Sequence, residues 1–402
     1  MHQNTTILQN QNNNWLILSA SNWDDLQVSN HFLSLELAKK GHIVYYVESP
    51  GVIGLNFKRI AKIICSILSK TNIKEQLKAS GNNHSSKLKT NLNIIKKISI
   101  PILGLPLVDQ FIFLIYWKKN KRIHSIIEKS DKILICSPIW IKFFRDLQWK
   151  RNFKKDYLAY YHLVDDVESY KHLFFYLKKL KHFLPKLDGI ISPNENLIKK
   201  YQKYNKSGFL VPHGFCKVLD DSFYLDRIFK RDDSIVYAGT FADWCDYDLI
   251  KKICIKFKNH KIFLIGRPAK NISKKFLDEL SDGFSNLIIK NSLNREELHC
   301  FLLKCSVAII PYKAKNLHIK FSSPSKIMDY LGCGLPVIST DIPYCDKHPY
   351  VEIAKDFNFF VSKIKDSLKI DNHQRLKMVN YALENQWENN VSKLCESLIN
   401  EI

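Results

Sequence analysis

Apolar positions along the chain fall into short continuous runs separated by longer stretches of helical spacing. Trp15–Ala20 is the first run, Leu33, Leu35, Leu37 and Ala38 follow in a helical pattern that stops at Gly41, and Ile43–Val47 is the next run. This order predicts a βαβ opening. Further runs stand at Ile133–Cys136, Tyr157–His162 and Gly189–Ser192. After Val211-Pro212-His213-Gly214 the pattern restarts with Ser234–Thr240, Lys261–Gly266, Asn286–Lys290, Val307–Pro311 and Pro336–Thr340. Apolar strands alternating with helices predict parallel sheets covered on both faces. The fold class is therefore α/β, with one doubly wound domain over 15–213 and a second over 214–370. Residues 1–14 read as a polar, disordered tail, 371–402 as a C-terminal helix carrying Trp387, and Ala79–Lys89 as a mobile loop.

A length of 402 residues is ample for two cores, and 46% hydrophobic residues supply them. The first fifteen residues are Asn/Gln-rich and lack the apolar core of a signal peptide. The run Phe111–Trp117 is too short to span a bilayer. Ten cysteines without metal-ligand spacing fit free thiols in a reducing cytoplasm, so neither a metal nor a cofactor is expected.

Charge adds an asymmetry. The net charge is +22, and residues 1–213 hold 33 Lys and Arg against 15 Asp and Glu, whereas the remainder holds 28 against 24. The first half thus faces an acidic partner, anionic lipid or nucleic acid. Compositional bias is the plainer alternative, because only 9 of the 61 basic residues are Arg. In Asn56–Lys70, Phe57, Ile60, Ile64 and Ile67 recur at helical spacing with Lys58, Arg59, Lys62 and Lys70 off the stripe. The pattern suits a helix lying on anionic lipid, and equally a core-facing helix with a solvated side. Lys118, Lys119, Lys121 and Arg122 would extend that basic surface. No nucleic-acid motif accompanies the charge, so membrane contact is preferred.

In an open α/β sheet, ligands bind outside the carboxyl ends of the strands. That rule selects Gly239-Thr240, Gly266-Arg267 and the residues from Lys313 onward. It also draws attention to Ser322–Thr340, SSPSKIMDYLGCGLPVIST. Ser323 before Pro324 predicts a helix start, with Gly332 and Gly334 ending the helix. Lys326 then lies in the first turn, where a cation opposes the helix dipole unless an anion sits nearby. A diphosphate meeting Lys326, with Ser322 and Ser323 as hydroxyl donors and Asp329 accepting from ribose, satisfies that condition. A surface ion pair between Lys326 and Asp329, three residues apart, is the alternative.

The stretch SPSKIMDYLGCGLPVIST resembles the donor-site signature P-x-K-x-x-E-Y-x-x-x-G-x-P-V-I of GT-B glycosyltransferases. VPHGF, YAGT and LIGRP resemble other segments of that family, and the layout agrees over residues 15–390. The resemblance implies two Rossmann-like domains facing a cleft, a nucleotide sugar held mainly by the second, and a C-terminal helix crossing back to the first. This sequence departs from the pattern at Asp329, where Glu is usual, and at Phe321, where retaining members carry a second Glu. The usual basic pair for the diphosphate is reduced to Arg267 and Lys326.

In the first half, YYHLVDDVESY brings His162 and then Asp165 and Asp166 to a strand end. An inverting glycosyltransferase needs a general base for the acceptor hydroxyl, and Asp165 or Asp166, with His162 second, is the candidate. The cluster resembles the acidic strand end in membrane-associated glucuronosyltransferases of xanthan assembly. Helix capping is the alternative role for these carboxylates. The expected protein is a cytoplasmic enzyme, peripheral on the inner face of the cell membrane, moving sugar from a nucleoside-diphosphate sugar, UDP-linked by preference, to a lipid-linked or polysaccharide acceptor in surface-glycan synthesis. The missing Glu at Phe321 tilts the expectation towards inversion. A nucleotide-sugar epimerase of the same fold, or a basic nucleic-acid-binding protein, is the alternative.

Overall fold

The computed structural model describes residues 13–49, 91–96, 121–141, 157–169, 174–227, 231–316 and 318–400. The expected helix Asn56–Lys70, the Phe111–Trp117 run with Lys118 and Lys119, the Ala79–Lys89 loop and nearly all of the polar tail lie outside these residues. Lys121 and Arg122 open the helix Lys121–Lys129. No helix among the described residues is long and apolar enough to cross a membrane.

Two sheets carry the fold. The first has seven strands in the order β3-β2-β1-β4-β5-β6-β7, comprising β1 (Asn14–Leu18), β2 (Ile43–Val47), β3 (Leu92–Ile95), β4 (Lys132–Ile135), β5 (Leu158–His162), β6 (Gly189–Ser192) and β7 (Gly208–Leu210). The second has six, in the order β10-β9-β8-β11-β12-β13: β8 (Ser234–Ala238), β9 (Lys261–Ile265), β10 (Leu287–Lys290), β11 (Val307–Ile310), β12 (Val337–Thr340) and β13 (Val351–Ala354). All five pairings in the second sheet are parallel. Each order reverses beside its first strand, β1 or β8, which is the doubly wound arrangement. Val236, Ile309 and Ile338 are fully buried, as strands covered on both faces require. Each such side chain contributes roughly 1.5–3 kcal/mol.

The sequence pattern located ten of these strands to within two residues. It passed over β3, β7 and β13, which are short and only partly buried. β1 begins at Asn14, whose N–H donates to Asp131 Oδ2 at 2.8 Å, so that residue belongs to the sheet and not to the tail.

The chain divides into two compact units. The second holds residues 210–402 together with 164–170 and 192–199, so the boundary falls at Phe209–Leu210 rather than after His213. Asp165 and Asp166 therefore group with the second unit and not with the first. Two hydrogen bonds lie within that grouping. Ser169 Oγ lies 2.9 Å from His318 Nδ1, and Asn194 Nδ2 donates to the Phe321 carbonyl at 2.9 Å.

The C-terminal segment, expected as one helix, is two: Asn372–Glu384 and Trp387–Asn400. The break exists because residues 385–387 pair with the VPHGF stretch. The Phe215 N–H donates to the Asn385 carbonyl at 2.9 Å, and the Trp387 N–H donates to the Phe215 carbonyl at 3.2 Å. Asn390 Nδ2 donates to the Pro212 carbonyl at 3.0 Å. A Cβ on Gly214 would overlap the Trp387 backbone, and one on Gly332 would overlap the buried Phe215 ring. Neither neighbour can withdraw cheaply. Gly214→Ala is expected to lower the melting midpoint by roughly 3–10 °C, from an overpacking cost of about 1–3 kcal/mol, with differential scanning calorimetry as the check.

Candidate functional site

Gly239 follows β8 at the reversal of strand order in the second sheet. The Lys326 ammonium stands 2.6 Å from the position a Gly239 Cβ would occupy. A Cβ on Gly266 would overlap the Gly239 carbonyl, so this second glycine is required by close packing of the β8 and β9 ends. Thr240 is half-buried, and its carbonyl accepts from the Tyr237 hydroxyl at 2.9 Å. Arg267 has an exposed side chain, and its carbonyl accepts from the Phe241 N–H at 2.9 Å.

Lys326 Nζ donates to the Tyr312 hydroxyl and lies 4.8 Å from the ring centres of both Tyr237 and Tyr312. Two aromatic faces thus hold the ammonium, an attraction worth about 0.5–2 kcal/mol per ring. Among the described residues, no carboxylate lies within ion-pair distance of it. The helix is Lys326–Gly332, so Lys326 is its first residue, and Ser325 rather than Ser323 precedes it without a side-chain cap. The expected hydroxyl cap is absent because backbone carbonyls take the leading N–H groups: Ile327 donates to Pro324 at 3.1 Å and Met328 to Ser325 at 3.3 Å. At the far end Gly334 adopts φ +67, and the bonds Leu335 N–H to Tyr330 and Gly334 N–H to Leu331 close a Schellman motif.

Asp329 does not pair with Lys326. Its Oδ1 accepts from Arg295 Nη1 at 2.6 Å and from His299 Nε2 at 3.2 Å. Burial alone raises the carboxyl pKa, but Arg295 and His299 together hold it below the usual carboxylate range. These two partners, four residues apart on the helix Arg295–Leu302, escaped the sequence reading. The Asn294–Glu297 capping box marks the start of that helix, but nothing local points to Asp329. The remaining nearby arginines serve the backbone: Arg231 donates to the carbonyls of Leu302, Cys305 and Cys333, and Arg375 to those of Ser306 and Gly334.

Ser322 is half-buried, with its N–H donating to the Ile319 carbonyl at 3.0 Å. Ser323 is buried beside the Tyr344 hydroxyl, and its backbone lies next to His213. His213 and His348 are buried within the same cluster, where burial pushes each imidazole down to about 4 and His348 further disfavours charge on His213. In the strand-end cluster, Asp166 is buried and its Oδ1 accepts from the Glu168 N–H at 3.4 Å, which caps the short turn Val167–Ser169. Asp165 is half-buried, and His162 is buried as the last residue of β5.

A cavity of about 500 Å³ opens outside the ends of β11, β12 and β13. Its charged lining is balanced, with Lys252, Lys313, Lys315 and Lys355 against Asp246, Asp248, Asp341 and Asp356. The balance singles out no anion there, in contrast to Lys326.

Acid stability follows from these groups. The Asp329 contribution is full above about pH 4 and is lost as pH falls below that, because its folded pKa lies under the unfolded one. The histidines act over a higher window. With folded values of about 4 against 6.5 unfolded, the unfolded chain binds protons first, and stability falls between pH 6.5 and 4 by on the order of 3 kcal/mol per histidine. Urea unfolding at pH 7, 5 and 4 checks this, and His348→Asn is expected to remove part of the fall, since burial also lowers His31 and His42.

No protein-family model and no curated protein sequence matches the chain. Solved structures do. Sucrose-phosphate synthase from Thermosynechococcus elongatus superposes with a TM-score of 0.65 at 14% identity, covering 97% of this chain and 100% of that one. HepE from Anabaena, in complex with UDP-glucose, gives 0.59 at 11% identity over 96% and 100%. The lipopolysaccharide outer core galactosyltransferase WaaB gives 0.56 at 8% identity over 97% and 99%. With both parallel sheets in place, this chain has the GT-B glycosyltransferase fold.

Proposed function

We propose that the chain is a glycosyltransferase that uses a UDP-sugar. The observation that carries this reading is Lys326: a half-buried cation at the positive end of a helix, against Gly239, held by two tyrosines and facing no carboxylate among the described residues. A diphosphate satisfies that arrangement. The structural likeness to HepE, which was captured with UDP-glucose, supports uridine as the donor nucleoside.

In this proposal the acceptor hydroxyl attacks the anomeric carbon of the donor, and the bond from that carbon to the diphosphate breaks. Lys326, and not a metal ion, balances the charge that develops on the departing UDP. Asp329 accepts from the ribose hydroxyls, and Gly239, Thr240, Gly266, Arg267, Ser322 and Ser323 border the same strand ends. Asp165 takes the proton of the acceptor hydroxyl, with Asp166 beside it in sequence and then His162 as the alternative bases. The absence of a carboxylate at Phe321 favours inversion. The basic first half supports a lipid-linked or polysaccharide acceptor at the inner, anionic face of the cell membrane, with the chain as a peripheral cytoplasmic protein in surface-glycan synthesis.

Two substitutions separate binding from chemistry. Lys326→Ala is expected to weaken UDP binding about 10- to 100-fold by calorimetric titration, the worth of a charge-assisted bond to phosphate. Asp165→Asn is expected to lower kcat by about 100-fold or more while UDP affinity stays unchanged. Undiminished UDP affinity in Lys326→Ala would overturn the donor assignment.

A further inference from the structure

Asp329 sits at one end of a directional hydrogen-bond chain that the donor reading does not explain. Its carboxylate accepts from Arg295 and His299 on the same atom, Oδ1. Oδ2 bonds none of the described residues. On the other side of the imidazole, His299 Nδ1 lies 2.7 Å from the Tyr224 hydroxyl. That hydroxyl oxygen accepts from two amides, Val218 N–H at 3.3 Å and Leu219 N–H at 3.4 Å. With both lone pairs engaged, the phenol must give its own proton to His299 Nδ1. The imidazole proton is then on Nε2 and points at Asp329.

Packing fixes the ring as firmly as the hydrogen bonds do. His299 is fully buried, stacked against Phe215 at 5.5 Å and 10°, with Tyr224 edge-on at 5.9 Å. Phe215 in turn fills the space that Gly332 leaves open. The imidazole therefore has one orientation and one tautomer. Asp329, one methylene shorter than Glu, has its Oδ1 pinned from two directions, so Oδ2 has one direction too. It lies one helical turn beyond Lys326, roughly 5 Å further along the same face.

Resting on the donor reading above, we infer that His299 and Tyr224, with Arg295, are positioning residues for nucleotide recognition: they orient Asp329 so that Oδ2 accepts from the ribose hydroxyls of the nucleoside diphosphate. The network converts a short carboxylate into a fixed acceptor. Its cost is a buried charge that Arg295 and His299 must satisfy in the empty protein as well.

Titration of the full chain with UDP and with 2′,3′-dideoxy-UDP tests this through a ratio. Wild-type protein is expected to prefer UDP by about tenfold or more, the worth of hydrogen bonds to a charged acceptor. Tyr224→Phe keeps the ring packing but releases the tautomer of His299, and is expected to cut the preference by about threefold or more. His299→Leu is expected to abolish it, leaving dideoxy-UDP affinity within about twofold of wild type. A UDP preference unchanged in Tyr224→Phe, or in a folded His299→Leu, would show that the network only joins three helices, and would overturn the inference while the donor reading stands. Failure of the wild-type protein to bind either nucleotide would instead overturn the donor reading, and this inference with it.

Discussion

The arrangement of the second unit turns on one ammonium group. Lys326 is the first residue of a seven-residue helix, where its charge opposes the helix dipole, and its nearest neighbours are two phenol rings and a glycine. Tyrosine faces attract a cation without neutralising it. An ion pair with a nearby carboxylate would have been the cheaper way to hold such a charge. The nearest candidate in sequence, Asp329, is instead committed to Arg295 and His299. The fold thus keeps the two charges of one helix face separate, the arrangement from which the donor proposal is argued.

The surroundings maintain that separation. Gly266 lets the Gly239 carbonyl approach, which brings the β8 end under the lysine. Gly334, in the left-handed region, turns the chain into β12 directly after the helix. Phe215 enters beneath Gly332 and stacks on His299, so the VPHGF stretch supports the helix Lys326–Gly332. The same stretch is gripped by Asn385, Trp387 and Asn390. This explains why the C-terminal region is two helices with a break at residues 385–386.

Much of this was legible in the sequence for a physical reason. Strands buried on both faces read as continuous apolar runs, so SIVYA, KIFLI and VAII stand out, and SSPSKIMDYLGCGLPVIST announces both its helix and its glycine stop. The edges of the sheets were less legible. GFL has three residues and VEIA carries an exposed Glu352, so neither shows the continuous burial of a central strand. The start of the helix Lys326–Gly332 was located two residues early, because Ser323-Pro324 has the composition of a cap whereas the carbonyls of Pro324 and Ser325 do the bonding. The Asp329 network was not legible at all. Arg295 and His299 lie some thirty residues away on another helix, and only the sheet order brings the two helices together. The acidic strand end was half legible: the sequence placed two carboxylates after β5, and the structure adds that Asp166 caps a turn.

The central claim is that the second unit binds a nucleoside diphosphate carrying a sugar. Thermal unfolding of the full chain against a panel of UDP, UDP-sugars, GDP-sugars, uridine and free sugars tests it most directly, because a ligand that binds only the folded state raises the melting midpoint as its concentration exceeds its Kd. The account predicts a concentration-dependent rise with at least one UDP-sugar and with UDP, and none with uridine or free sugars. No shift with any nucleoside diphosphate, or equal shifts with uridine and UDP, would contradict it.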